Sequence, residues 1–318
     1  MSKPVRKTAQ PKVVPRTSRP GAPKARAAAP RVSVVIPHYQ DLGGLELCLA
    51  SLERQTLPRG EFEIVVSDNN SPVGQAAVQA VVRDRARLVV CTEKGAGPNR
   101  NAGVAASSGA ILAFIDSDCV AEPQWLAAGL EGLKAFDFVG GHVTVLVEDP
   151  ARMTAAEAFE TVFAFDFETY INKKGFTGAG NMLCPRALFD AVGGFSNGVS
   201  EDVEWSRRAI AAGYRLGYVK DAVVGHPARR TWPELKAKWR RVNTETFKLH
   251  AHAGGGRLAW LARCAALPAS AVAHTPKVVV SSKLPGVRER ALAIGMLFQM
   301  RLWRGADCLA LAFGGEGR

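Results

Sequence analysis

Four short apolar runs, separated by stretches of helical periodicity, limit what this chain can fold into. Residues 32–36, 62–67, 88–91 and 111–115 are rich in Val, Ile, Leu and Phe, and runs of that length and composition read as buried strands. Between them, residues 42–55, 74–87 and 99–108 read as helices, with spacing such as Leu45, Leu49 and Leu52. Near-continuously apolar strands alternating with helices predict a parallel sheet covered on both faces. Sheets of that kind bind ligands beyond the carboxyl ends of their strands. Polar clusters at residues 37–41, 68–71 and 116–118 all stand at such ends, which places three of them along one edge.

The run 111–115 stops at Asp116-Ser117-Asp118. Residues i and i+2 of an extended segment point the same way, so both carboxylates are expected to face one spot. They would repel each other there unless a cation lay between them. A hard divalent ion carrying a phosphate, Mg²⁺ or Mn²⁺, suits that oxygen donor set. Asp and Ser are also ordinary residues of a solvated turn, and the triplet alone leaves both readings open.

Charge is unevenly placed along the 318 residues, whose formal net charge is +12. Residues 1–31 hold nine Lys/Arg and no acid, and residues 227–318 hold sixteen bases against five acids. The stretch between is acidic, with twenty-four acids against sixteen bases. An acidic body argues against a nucleic-acid partner, and basic flanks suit an anionic surface. The Pro- and base-rich residues 1–30 are expected to be a disordered tail, without the apolar core of a secretory signal. Six scattered Cys without CxxC spacing fit a reducing, cytoplasmic compartment.

Past residue 125 the pattern loosens. Residues 138–147 read as one or two strands, 154–170 as an aromatic-rich helix, and 176–183 as a Gly-broken strand. Helices are expected near 187–192 and from Glu201 to about residue 212, then a strand over 216–224 ending at His226-Pro227. A basic amphipathic helix over 231–250 follows.

Ordered motifs across residues 32–226 resemble a family 2 glycosyltransferase, the inverting, nucleotide-sugar-dependent class with the GT-A fold. Val32-Ser-Val-Val-Ile-Pro-His-Tyr39 resembles its opening strand and Pro-x-Tyr turn, and Ser51-Leu-Glu-Arg-Gln-Thr56 its first helix end. Val65-Val-Ser-Asp68-Asn-Asn-Ser resembles the nucleotide-base strand end, and Asn99-Arg100-Asn101-Ala-Gly103 the Arg-Asn-x-Gly helix. Phe114-Ile-Asp-Ser-Asp118 resembles the metal motif, and Gly178-Ala-Gly-Asn181 the sugar and acceptor loop. Gly193-Gly-Phe and Glu201-Asp-Val-Glu-Trp205 resemble the acceptor-side helix that carries the base.

The resemblance implies an α/β GT-A fold with a mostly parallel central sheet and helices on both faces, to which the residues beyond it add a helical C-terminal extension. The expected domain limits are 31–230 for the catalytic part and 231–318 for a basic amphipathic helical region outside the resemblance. Pro37, Tyr39, Asp68, Arg100 and Asp116 would then bind the nucleotide, Asp68 meeting a uracil-type ring and Arg100 the pyrophosphate. Asp118, with Asp116 and His226, would hold Mn²⁺ or Mg²⁺. Asp202 would be the general base, and Gly180, Asn181, Glu201 and Trp205 would meet the sugar or acceptor, Trp205 by stacking or else as a core residue. His38 falls at a variable position and is expected to take no catalytic part. Gln40 and Asn69-Asn70 depart from the usual Asn and Asp-Gly, which loosens the inferred base and ribose contacts. Lys238-Trp239-Arg240-Arg241 lacks the Gln-x-x-Arg-Trp pattern, which favours single sugar addition over polymerisation.

The C-terminal apolar stretches 258–273 and 291–313 are interrupted, by Arg263 and Pro268 and by Arg301, Arg304 and Asp307. Neither reaches the run of about twenty apolar residues that spans a bilayer. Apolar faces dotted with Arg suit helices lying in an anionic membrane interface, a peripheral position on the inner face of the plasma membrane. A helical cap packed on the catalytic part is the competing reading. The expected activity is transfer of one sugar, UDP-linked by preference, to a glycan or lipid-linked glycan hydroxyl, as in cell-surface polysaccharide assembly. The alternative is a non-catalytic glycan or nucleotide-sugar binding scaffold on the same fold. A dehydrogenase is excluded because no GxGxxG follows the first strand.

Overall fold

The computed structural model describes residues 30–252 and 254–314. All but the last residue of the expected tail 1–30 therefore lies outside the described residues. The first half alternates as its apolar runs require: β1 (Val32–His38), α1 (Leu42–Leu52), β2 (Phe62–Asp68), α2 (Gln75–Val82), β3 (Arg87–Val90), α3 (Ala96–Ala105) and β4 (Ile111–Ile115). The second half adds β5 (Val120–Ala121), α4 (Trp125–Gly132), β6 (Phe138–Leu146), α5 (Ala155–Phe163), α6 (Phe167–Lys174), β7 (Asn181–Pro185), α7 (Arg186–Val192), α8 (Glu201–Ala211) and β8 (Leu216–Pro227). Three long helices close the chain: α9 (Trp232–His252), α10 (Arg257–Val279) and α11 (Val287–Ala312).

One eight-stranded sheet runs in the order β3-β2-β1-β4-β7-β6-β8-β5. The β3-β2-β1-β4 half is wholly parallel, as the crossover helices demand. Beyond β4 the sheet is mixed: β7 pairs antiparallel to both β4 and β6, β8 is parallel to β6, and β5 is antiparallel to β8. The stretch 154–170 is two helices rather than one, and the Gly-broken run 176–183 becomes strand only from Asn181.

Each face of the sheet is covered. Leu45, Leu49 and Leu52 of α1, Val78 and Val82 of α2, and Trp125 and Leu126 of α4 pack on one face. Val104 of α3, Leu188 and Phe189 of α7, and Trp205 and Ala209 of α8 pack on the other. The C-terminal helices share a third cluster with α5, where Ala156 and Phe159 meet Leu235, Ala271, Val278, Ala293 and Leu297. One side of the C-terminal helices is thus packed against α5. The outward side of α10 is apolar and open, with Leu258 82%, Val272 66% and Val280, just past its end, 79% exposed.

Candidate active site

A cavity of about 590 Å³ opens at the carboxyl edge of the sheet, lined from the ends of β1, β2, β4 and β8 and from α3, α8 and α9. Of the residues singled out in the sequence, Pro37, Tyr39, Arg100, Asp116, Asp118, Gly180, Glu201, Asp202 and His226 line it. Asp68, Asn181 and Trp205 do not.

The parallel register pairs His38 of β1 with Asp68 of β2. Asp68 Oδ1 accepts from His38 Nδ1 at 2.8 Å and from Ser71 Oγ at 2.5 Å, and Oδ2 accepts from the Ser71 amide at 2.9 Å. With its side chain only 2% exposed, this carboxylate is a closed Asx-type turn and not a contact for a base. The expectation for Asp68 is corrected on that ground. His38 instead lines the cavity, and its Nε2 is buried without a protein partner among the described residues. Gln40 sits at φ 68° with its amide bonded to Ser71 Oγ, a left-handed position that Asn tolerates better than Gln.

The two motif carboxylates do not share one spot. Strand β4 ends at Ile115, and the Cys119 amide donates to the Asp116 carbonyl across a turn. The alternation of an extended chain is lost there, so the carboxylates take different partners. Asp116 accepts from Arg100 at 2.6 Å. Asp118 lies 3.5 Å from Nε2 of His226. The Nδ1 of His226 donates to the Pro227 carbonyl at 2.8 Å, which orients the ring with Nε2 facing Asp118. Donor atoms of Asp118, Cys119 and His226 lie within 4.8 Å of one another. Burial first, then the nearby Asp116, pushes the Asp118 carboxyl up, with His226 opposing. Burial drives the Cys119 thiol well above its usual range, so it stays protonated. One carboxylate and one imidazole nitrogen facing each other fit a divalent ion such as Mn²⁺.

Arg100, on the buried face of α3, bonds Asp116 through one amino group and Glu201 of α8 through the other. Its side chain is 6% exposed. Burial opposes its charge, but Asp116, Glu201 and Asp202 outweigh it and hold the guanidinium ionised. Each amino group of Arg100 thus holds one carboxylate, while the residue also lines the cavity. Next along α8, Asp202 accepts from the Val203 amide at 2.7 Å. Burial first, then Glu201, raises its carboxyl to about 6, against the lowering effects of Arg100 and the Val203 amide. Tuning a carboxyl toward neutrality in this way is how a general base is made.

The loop 178–181 passes directly under these acids. A Cβ on Gly180 would stand 2.7 Å from Asp116 Oδ2, and one on Gly178 2.7 Å from Phe167 Cζ. A larger residue at either position would have to displace one of these side chains. Asn181 is fully buried and spends its amide on structure, donating to the His142 and Ala222 carbonyls and accepting from Trp125 Nε1. Trp205 is also fully buried, in contact with Phe138, Phe189 and Phe195, its Nε1 donating to the Gly193 carbonyl. Neither side chain can reach a sugar, and both expectations are corrected. Two cations that sequence reasoning missed line the cavity beside Asp118 and His226: Arg229, just past β8, and Arg241 of α9. Both stand outside any motif spacing, and only the fold of α9 over the sheet edge brings them in.

The family model for glycosyl transferase family 2 matches residues 33–196. Glycosyltransferase AglE of Haloferax volcanii is 33% identical over 219 residues, covering 66% of this chain and 71% of the relative. The pre-mycofactocin glycosyltransferase of Mycobacterium tuberculosis is 29% identical over 224 residues, 65% of this chain and 45% of the relative. Validoxylamine A glucosyltransferase of Streptomyces hygroscopicus subsp. jinggangensis is 35% identical over 112 residues. That match covers 34% of this chain and 26% of the relative, so the chain spans less than half of these last two proteins. Among solved structures, the mannosyltransferase PcManGT of Pyrobaculum calidifontis, in complex with GDP-Man and Mn²⁺, superposes with a TM-score of 0.51 at 20% identity. It covers 91% of this chain and 77% of that one, a likeness of fold. With the GT-A architecture, the edge cavity and the family match together, the chain belongs to glycosyl transferase family 2.

Proposed function

We propose that the protein is an inverting glycosyltransferase that moves one sugar from a nucleotide-diphosphate donor to a hydroxyl of a glycan or lipid-linked glycan. The observation that carries this reading is Asp202, a carboxyl tuned to about 6 at the rim of a cavity that also holds Asp118 and His226. Asp202 takes the proton of the acceptor hydroxyl as its oxygen bonds the anomeric carbon. The bond from that carbon to the phosphate oxygen breaks on the opposite face, and its electron pair leaves with the nucleotide diphosphate. One displacement inverts the anomeric centre. Asp118 and His226 are the residues that would hold Mn²⁺ or Mg²⁺, which when bound supplies charge stabilisation to the departing phosphates. Arg229 and Arg241 supply further positive charge from the same side. Arg100 keeps Asp116 and Glu201 paired and leaves Asp202 as the acid free to act.

The donor reading favours UDP by resemblance. A calorimetric titration of UDP, GDP and TDP, with and without Mn²⁺, tests the assignment, with Asp118→Ala as control. Binding of one nucleotide that requires metal and disappears in the variant is expected. If no nucleotide binds under any metal, the transferase reading falls and a glycan-binding scaffold replaces it.

The acceptor reading draws on α10. That helix carries no Asp or Glu, and its outward face presents Leu258, Ala262, Ala265, Ala269, Val272 and Val279, all exposed. Arg257, Arg263, Lys277 and Lys283 border it. No helix among the described residues is long and apolar enough to cross a membrane. An apolar face rimmed by cations suits the surface of an anionic bilayer, on the cytoplasmic side where a lipid-linked acceptor would be met. The protein should float with phosphatidylglycerol vesicles at low salt, and Leu258→Glu with Val272→Glu should abolish this. Recovery wholly in the unbound fraction would remove the membrane role.

A further inference from the structure

The corner between α5 and α6 contains a residue that local backbone chemistry disfavours. Phe165 stands at φ 57°, the left-handed region where a bulky side chain is an outlier and glycine is the usual occupant. The corner is otherwise well formed. Ala164 closes α5 through its amide to the Glu160 carbonyl. Asp166, at φ −78° and ψ 63°, makes an inverse γ-turn in which the Phe167 amide donates to the Phe165 carbonyl at 2.8 Å. Asp166 then caps α6 through the Thr169 amide. Nothing in this path requires a ring at position 165, and glycine would make the same turn without strain. Strain of this kind persists where surrounding contacts overdetermine it, typically at functional sites.

The contacts of the ring supply the reason. Its centroid lies 4.5 Å from the His226 imidazole, tilted by 35°. Lys238 of α9 puts its Nζ 4.7 Å from the same ring, and that ammonium is anchored on the buried Glu160 at 2.7 Å. Glu160 also holds Arg229 through its backbone amide at 2.8 Å and its guanidinium at 3.2 Å. The bond from His226 Nδ1 to the Pro227 carbonyl fixes one ring atom and leaves the imidazole free to rock about it. The Phe165 face removes that freedom, and Nε2 is then held toward Asp118.

We propose that Phe165 is the positioning residue of the metal site, its strained backbone keeping an aromatic face on His226 so that Nε2 stays aimed at Asp118. This rests on the reading that Asp118 and His226 hold a divalent ion. Aromatic pairs of this kind are worth up to about a tenfold change in an equilibrium, and misaimed ligands lose metal on a similar scale.

The test is Mn²⁺ binding to the full-length protein in the presence of UDP or GDP, read from the paramagnetic resonance of the free ion, alongside melting temperature. Three variants separate ring, volume and strain. Phe165→Leu keeps apolar bulk and strain, Phe165→Gly relieves the strain, and Phe165→Tyr keeps the ring. We expect Mn²⁺ affinity to fall about five- to tenfold in Leu and Gly and to stay within about twofold in Tyr. The Gly variant should melt no lower than the Leu variant despite losing more atoms. Wild-type binding that is lost in Asp118→Asn but unchanged in Leu and Gly overturns the proposal alone, as does a Tyr variant that loses as much as Leu. Absence of Mn²⁺ binding in the wild type overturns the metal reading, and the proposal with it.

Discussion

Replacing Asp202 by Asn should stabilise the protein while destroying its activity. The carboxyl rises from 3.8 to about 6 on folding, because it is buried and because Glu201 stands beside it. A native-state value above the unfolded one means that the folded protein binds this proton more tightly. Stability therefore declines as pH climbs from about 4 through about 6, and the full penalty is present above that. A rise of slightly over two units corresponds to about 3 kcal/mol at neutral pH. Asn keeps the shape and can still accept from the Val203 amide, which Asp202 does at 2.7 Å, so little besides the charge is removed. Urea denaturation followed by circular dichroism at pH 7.5 should show Asp202→Asn more stable by about 2–3 kcal/mol. At pH 5 the same comparison should give roughly half of that gap, because the wild-type carboxyl is then largely protonated. Turnover should drop by about 10² to 10⁴ with loss of the base. A variant less stable than wild type at pH 7.5, or a gap that does not shrink on acidification, would refute the charge-based account of this site.

Glu201→Gln removes the neighbour that most raises Asp202 after burial. The acid limb of kcat/KM, expected near pH 6, should move to lower pH, and an unmoved limb would show that Asp202 is not the group titrating. Arg100→Ala leaves Asp116 and Glu201 without their shared cation. It should cost about 3–5 kcal/mol in urea unfolding, as breaking a buried pair does, and should push the acid limb of the pH profile upward.

Much of this molecule is legible in its sequence because two periodicities are strong. The runs at 32–36, 62–67, 88–91 and 111–115 and their intervening helices appear where they are read, within a few residues. The strands past residue 125 are harder, since β7 and β8 join the sheet in a mixed arrangement that no local pattern encodes. In the site, identity was legible and orientation was not. Asp116 and Asp118 diverge because the chain turns immediately after Ile115. Trp205 lies one helical turn past Glu201, yet that turn aims it into the core with Phe189 and Phe195. His38 looks incidental by residue type, but its register opposite Asp68 makes it the partner that seals that carboxylate. Arg229 and Arg241 enter only through the packing of α9 across the edge, a tertiary fact with no local signature.

The charge balance of the cavity leads to a sharper test of how the donor is held. Asp116, Asp118, Glu201 and Asp202 line it, and the one deeply buried guanidinium, Arg100, is committed to the first and third. Burial pushes the Asp118 carboxyl up, with Asp116 adding to the rise and His226 and Arg229 opposing it. A nucleotide diphosphate brings more negative charge, and Arg229 and Arg241 meet it only from one side, both partly engaged by Glu160 and Glu245. Without a divalent ion, Asp118 therefore opposes the donor; with one, it anchors it. Asp118→Asn should consequently change nucleotide affinity in opposite directions under the two conditions. Affinity should be a few-fold tighter than wild type in chelator, where a like charge has been removed. It should be at least about tenfold weaker in saturating Mn²⁺, where a ligand has been removed. Calorimetry of the same two proteins in the two buffers reads both signs. If the substitution weakens binding equally in each, Asp118 touches the nucleotide directly and the cation-bridged arrangement is wrong.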